Sequence, residues 1–225
     1  MRDVNRDAIV GLIRMVIFLP AMVFLPAWTL RYWQAWVCLL LFVASATAIT
    51  VYLMKANPEL LARRVKAGAA AEKQKSQKVL QAYAAIAFIA IFVLPAIDHR
   101  LHWSKVPLFG ELAGDILIAL GFGFVFWVFK VNSFTSGIIE VAENQTVITS
   151  GPYAIVRHPM YLGALIMLLG IPFSLGSLWG LLMIILMTLV IALRLLDEEK
   201  FLASNLPGYR EYMNQVHFRL LPGVW

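Results

Sequence analysis

The chain has 225 residues, of which 61% are hydrophobic and only 14% are charged, and its mean hydropathy is +0.77. A soluble domain carries about 25% charged residues, so this composition excludes a soluble globular protein and indicates a single integral membrane domain. The apolar runs are continuous, whereas membrane β-strands alternate in character over about 10 residues, so the fold class is all-α. The formal charge of +6 is typical of cytoplasmic loops and headgroup contacts, and we expect no nucleic-acid partner.

Four uninterrupted apolar runs predict the first four membrane helices, at residues 8–30, 35–54, 79–97 and 112–130. The second contains the single cysteine, Cys38, which excludes an internal disulfide and a cysteine-rich metal site. The glycines of "GFGF", residues 121–124, lie within the fourth helix and indicate close helix packing.

Residues 55–78, here called the basic loop, determine the predicted orientation. They carry seven cations against two glutamates, the cations being Lys55, Arg63, Arg64, Lys66, Lys73, Lys75 and Lys78. The positive-inside rule places this loop in the cytoplasm, together with both termini and residues 131–161. Within the loop, "NPELLARRVK" predicts a short interfacial helix with Asn57 as N-cap and Pro58 at its first position. We expect Arg63 and Arg64 to face the lipid headgroups.

The longest apolar stretch, residues 162–193, carries no formal charge. As one helix it would be about 48 Å long, against a hydrocarbon core of about 30 Å. Pro172, Gly176 and two serines interrupt it midway, which predicts a helical hairpin with arms at about 159–173 and 178–204. The first arm is short for a straight crossing, so we expect a hairpin that is broken and partly embedded.

Polar side chains gather on both sides of this hairpin. The segment "GPYAIVRHPMYLG" precedes it, and "RLLDEEKFL" ends it with Arg194, Glu198 and Glu199. These residues have a structural alternative: the acids mark where the helix leaves the bilayer, and Arg194 pairs with Glu198 one helical turn away. His158 could likewise satisfy a loop carbonyl. The chain has no His-x-x-x-His pair on one helix and no set of histidines and carboxylates at ligand spacing, so we predict no metal site. It also has no glycine-rich phosphate loop.

The order of these segments, followed by Tyr-x-x-Tyr and a terminal Arg-x-x-Pro, resembles the isoprenylcysteine carboxyl methyltransferase family. That family shares its C-terminal half with the membrane phospholipid N-methyltransferases. The resemblance covers about residues 131–225, and upstream "NPELLARR", "DHRLHWSKVP" and "NSF" look like bacterial members. The chain departs from eukaryotic members in having fewer spans, and it has "NLPGYREY" where many relatives have Phe-Gly before the tyrosine. The single domain would then comprise four membrane helices in 1–130 and a catalytic region in 131–225.

The resemblance implies a cofactor, S-adenosylmethionine, bound without a Rossmann domain in a pocket that the hairpin and tail build on the cytoplasmic side. The residues that it implies at the cofactor are Tyr153, His158, Pro159, Tyr161 and Gly163 on one side and Glu198 and Glu199 on the other. An acceptor carboxylate would need an arginine to aim it. Arg157 and Arg219 are the candidates, and Arg194 would be either an orienter of the glutamates or a second contact for the anion. The partners would be membrane lipids and a lipid-like or small apolar methyl acceptor, in a bacterial cytoplasmic membrane.

Other functions remain open at this stage. The acceptor could be a phospholipid amine or a thiol, and the architecture also resembles membrane sterol reductases, which use NADPH. A membrane scaffold or small transporter is a further alternative, but a transporter would distribute polar residues along its spans. Here most of them gather at one end of the C-terminal half, which favours an enzyme.

Overall fold

The computed structural model describes residues 2–72 and 74–225, so Lys73 of the basic loop lies outside the described residues. The described chain is helical, with one isolated bridge between Ala67 and Gly137, and the all-α prediction is confirmed. The helices are α1 (Arg2–Ala27), α2 (Trp33–Ala56), α3 (Pro58–Val65), α4 (Lys75–Leu101), α5 (Leu108–Val131), a 3₁₀ turn (Gly151–Ala154), α6 (Pro159–Ser174), α7 (Leu181–Asn205) and α8 (Tyr209–Gln215). By length and composition, α1, α2, α4 and α5 can each cross a membrane. These four helices coincide with the four predicted spans.

The predicted hairpin is confirmed as α6 and α7. The Tyr32 hydroxyl, between α1 and α2, donates a hydrogen bond to the Leu175 carbonyl at the hairpin tip. The Ser177 hydroxyl, also at the tip, donates to Asp98 at the end of α4. The tip therefore reaches the turns at the far end of the bundle. With 16 residues, α6 itself is short, but the chain of the tip continues beyond it and reaches these turns. The number of residues in α6 does not by itself reveal this reach.

Glycines hold α5 and α6 in backbone contact. Seven residues separate each pair of glycines, Gly114 and Gly121 on α5 and Gly163 and Gly170 on α6. A Cβ atom at Gly170 would lie 2.5 Å from the Gly114 carbonyl oxygen, and one at Gly121 would overlap the backbone of Met167. The packing role predicted for "GFGF" is thus confirmed at Gly121. The contact fixes where α6 begins, and therefore where the residues before it lie.

The short helix predicted within the basic loop is confirmed as α3, but its two arginines contact the protein and not the lipid headgroups. Asn57 caps the helix, since its side-chain oxygen accepts a hydrogen bond from the Leu60 N–H at 3.0 Å. Arg63 and Arg64 turn inward and donate to carbonyl groups of the connection between α5 and α6, those of Ser133 (2.6 Å) and Ser136 (2.8 Å). The backbone carbonyls of an irregular connection need hydrogen-bond donors. The charges along the sequence do not show which side chains will donate to them.

The glycine contact yields a test of the fold. We expect Gly121→Ala to destabilise the protein by about 1–3 kcal/mol, because the new methyl group overlaps the α6 backbone. Gly123→Ala is the matched control, since a Cβ atom there meets nothing within 4 Å and alanine favours the helix. Thermal unfolding of both variants in the same detergent measures the difference. Equal melting temperatures would contradict the proposed backbone contact.

Candidate active site

The charged residues lie together at the end of the bundle where α6 begins and the apolar part of α7 ends. The tail after α8 pairs with the chain just before α6: the Arg157 N–H donates to the Phe218 carbonyl and the His158 N–H to the Arg219 carbonyl, both at 2.9 Å. Pro159, which has no N–H, is the first residue of α6, a position where no helical donor is needed. The tail and the "GPYAIVRHPMYLG" segment therefore form one wall.

Glu199 is the centre of this wall. Its Oε1 lies 3.1 Å from Arg157 Nε and 3.3 Å from His158 Nε2, and its Oε2 lies 2.9 Å from Arg219 Nε. Burial alone would raise the pKa of the Glu199 carboxyl, but the hydrogen bonds from His158 and Arg219 and the charge of Arg157 outweigh it and lower the pKa. Glu199 is therefore ionised at neutral pH and ties the hairpin to the tail.

Glu198, the neighbouring acid, has a different environment. The Tyr161 hydroxyl donates to Glu198 Oε2 at 2.6 Å and accepts from Arg194 Nε at 3.0 Å. The one-turn ion pair between Arg194 and Glu198 that the sequence allowed is not formed, because Tyr161 lies between them. Within residues 2–72 and 74–225, Glu198 makes no ion pair with any cationic side chain.

Arg194 is held from the opposite side by the basic loop. Its Nη1 lies 2.7 Å from Glu72 Oε1 and donates to the Gln77 side-chain oxygen at 3.0 Å. Its Nη2 donates to the Gly137 carbonyl at 3.3 Å. Sequence analysis missed Glu72 and Gln77. The only available signal was an acid within a strongly cationic loop, and it did not identify a partner.

Two tyrosines of α8 complete the wall. The Tyr212 hydroxyl donates to the Tyr153 carbonyl at 2.8 Å, and Asn132 donates to the Tyr153 hydroxyl at 2.9 Å. Tyr209 is only 5% exposed, and its hydroxyl has no hydrogen-bond partner among the described residues. Burial and the charges of Glu198 and Glu199 raise the pKa of Tyr209. A buried hydroxyl without a partner, close to two acids, is an arrangement that a polar ligand would complete.

Nine of the ten predicted site residues lie in this region, and one has a packing role that the prediction did not include. A Cβ atom at Gly163 would lie 2.9 Å from Val125 Cγ2 and 3.0 Å from Phe124 Cδ1. Gly163 therefore packs on α5, where its lack of a side chain allows the two helices to approach.

Comparison with known proteins connects this geometry to a chemistry. Residues 110–207 match the phospholipid methyltransferase family. This region therefore resembles the membrane methyltransferases of that family. The match contains most of α5, all of α6 and α7, and both acids, whereas Glu72 and Arg219 lie outside it. The predicted relationship to the membrane phospholipid N-methyltransferases is confirmed for these residues.

One curated relative is the cobalt-zinc-cadmium resistance protein CzcN of Cupriavidus metallidurans. It is 37% identical to this chain over 84 residues, which are 35% of this chain and 37% of that protein. The chain therefore matches little more than a third of the relative's own length. Among the described residues, no group of three histidine, cysteine or acidic side chains could hold a metal ion.

Replacing Glu199 tests the centre of the wall. Glu199→Gln leaves Arg157 and Arg219 without their acid, and we expect a loss of about 3–5 kcal/mol of stability at neutral pH. The pKa of Glu199 is lowered in the folded protein, so its contribution is complete above the unfolded value of about 4.3 and is lost as the pH falls below it. The difference from wild type should therefore shrink below about pH 4.

Unfolding is followed against pH, with Glu211→Gln on the exposed face of α8 as the control. A loss that stays constant from pH 7 to pH 3 would show that the charge of Glu199 is not what stabilises the wall.

Proposed function

We propose that this membrane methyltransferase uses S-adenosylmethionine to methylate a carboxylate on a lipophilic acceptor, as isoprenylcysteine carboxyl methyltransferases do. The observation that carries the proposal is the pair of adjacent acids at the end of the apolar hairpin. Glu199 contacts Arg157, His158 and Arg219, whereas within residues 2–72 and 74–225 the partner of the Glu198 side chain is the Tyr161 hydroxyl. We infer that the wall faces the cytoplasm, since the basic loop lies at the same end of the bundle.

The residues present suit this cofactor. A carboxylate without a cationic partner accepts hydrogen bonds from an ammonium group or from ribose hydroxyls, and Glu198 meets that description. The unpartnered Tyr209 hydroxyl offers a further hydrogen bond beside it. We assign Tyr153, His158, Pro159 and Tyr161 to one side of the cofactor and the two glutamates to the other. When bound, S-adenosylmethionine supplies a methyl group activated by its positively charged sulfur.

The chain's own task is then alignment. An acceptor carboxylate with a pKa of about 3.5 is already ionised at pH 7, so no general base is required. Displacement at carbon needs the two reactants to be held in line and shielded from water. Arg194 is the best-placed of the three candidate arginines, because it already binds a carboxylate, that of Glu72. Arg157 and Arg219 are bound to Glu199, and we assign them the role of positioning it.

A phospholipid amine is the second candidate acceptor, and the match to the phospholipid methyltransferase family favours it. An ammonium group must lose a proton before it attacks a methyl group, and Glu198 would then accept that proton. A thiol acceptor would require a base in the same way. The NADPH-dependent reductase alternative differs in its cofactor, so a binding experiment separates it from both.

Calorimetric titration with S-adenosylhomocysteine tests the cofactor assignment. Wild-type protein should bind it, and Glu198→Gln should weaken binding by about tenfold, because a charged hydrogen-bond acceptor becomes neutral. Glu143→Gln is the control, since it removes the same charge from an exposed loop position. Absence of binding to folded wild-type protein would refute the assignment, and binding of NADPH in its place would favour a reductase.

A further inference from the structure

The basic loop and the connection between α5 and α6 are hydrogen-bonded to each other, and together they cover Arg194. Ala67 pairs with Gly137 in the isolated bridge, and the Gly137 N–H donates to the Arg63 carbonyl at 3.3 Å. The Ile139 N–H donates to Glu72 Oε2 at 3.4 Å. These two segments, 63–72 and 133–140, are here called the loop pair. Gly137 also accepts from Arg194, so the loop pair covers the guanidinium directly.

Glu72 is the residue that the loop pair delivers to the site. Its side chain is 1% exposed, and its 2.7 Å contact with Arg194 is the shortest ion pair within residues 2–72 and 74–225. Removing a carboxylate from water is costly unless a cation and hydrogen bonds replace the lost hydration. Arg194, the Ile139 N–H and Gln81 supply that replacement.

All three nitrogens of the Arg194 guanidinium are engaged in this arrangement. Nε binds the Tyr161 hydroxyl, Nη2 binds the Gly137 carbonyl, and Nη1 binds Gln77 together with Glu72. Among the described residues, Glu72 is the one anion in direct contact with Arg194. An acceptor carboxylate can therefore form its ion pair with Arg194 only by taking the place of Glu72. Since Glu72 lies in a loop, its displacement leaves the helices that carry Arg194 and Tyr161 intact.

A groove beside this cluster has the polarity of a lipid-like acceptor. It opens between the start of α4 and the charged end of α7, has a volume of about 500 Å³, and is lined by Lys75, Ser76, Val79, Leu80, Leu193, Leu196, Asp197 and Lys200. Its leucines suit an apolar body, and its lysines suit a negatively charged end. Asp197 at the groove accepts a hydrogen bond from Gln77, which also contacts Arg194. A single pair of side chains therefore connects the groove to Arg194.

We propose that Glu72 occupies the position of the acceptor's carboxylate on Arg194, so that the loop pair closes the acceptor site until an anionic lipophilic molecule displaces it. This inference rests on the proposed function, since it assigns Arg194 to the acceptor. It makes Glu72 a competitor of the acceptor and a residue that sets the affinity for it. Without Glu72, Arg194 is a buried cation that lacks an anion, and a carboxylate ligand supplies the missing charge.

The test compares N-acetyl-S-farnesylcysteine, which carries a carboxylate, with its methyl ester, which is uncharged. Both ligands are titrated calorimetrically into the full-length protein in detergent. We expect Glu72→Gln to bind the carboxylate about tenfold more tightly than wild type and to bind the ester equally well. Glu59→Gln is the matched control. It removes a glutamate from the same loop, where Glu59 is exposed and 3.7 Å from Arg63, so both affinities should stay at the wild-type values.

The proposal is overturned if Glu72→Gln binds the carboxylate no more tightly than wild type, or if both ligands tighten together. Should the glutamine variant fail to fold, Glu72→Asp keeps the charge but shortens its reach, and we expect the same preference for the carboxylate, by about threefold. Titration with S-adenosylhomocysteine distinguishes a failure of the role proposed for Glu72 from a failure of the proposed function. Normal binding with an unchanged carboxylate affinity refutes only the role of Glu72, whereas loss of cofactor binding in wild type refutes the proposed function.

Discussion

An ionised carboxylate at the end of an apolar bundle must be surrounded by cations and hydrogen-bond donors, because water cannot stabilise it there. Glu199 imposes this requirement, and two distant parts of the chain meet it. Arg157 and His158 come from the segment before α6, and Arg219 comes from the tail. The tail is thereby fixed against the hairpin, and α8 brings Tyr209 close to the acids. The geometry of the wall follows from neutralising this one charge.

The other half of the site depends on a second ion pair, which joins the N-terminal and C-terminal halves of the chain. Arg194 on α7 binds Glu72 from the basic loop, and Tyr161 connects Arg194 to Glu198. The site therefore contains one acid that is saturated by cations, one acid that is nearly free, and one arginine that already holds a carboxylate. In the proposed function, that asymmetry separates a cofactor side, at Glu198, from an acceptor side, at Arg194.

The sequence alone predicted those features of the fold that a few neighbouring residues determine. Continuous apolar runs gave the spans, Pro172 and Gly176 gave the hairpin turn, and the Asn57-Pro58 pair gave the start of α3, since each signal is confined to a few neighbouring residues. The inward direction of Arg63 and the pairing of Glu72 with Arg194 were not predictable in this way. Both depend on segments that are about 70 and 120 residues apart, and no periodicity records such contacts. The family resemblance drew attention to the end of the molecule where these charged side chains meet, but it assigned no role to Glu72 in the basic loop.

Transfer of labelled methyl groups from S-adenosylmethionine tests the central claim most directly. Purified protein is offered a prenylcysteine carboxylate, phosphatidylethanolamine and a long-chain alkyl thiol in the same membrane preparation, and the products are separated. The account predicts labelling of the carboxylate, with a product that mild base hydrolyses because it is an ester. Labelling of the amine alone would contradict the role assigned to Arg194, and labelling of none of the three would contradict transfer to an acceptor of these classes.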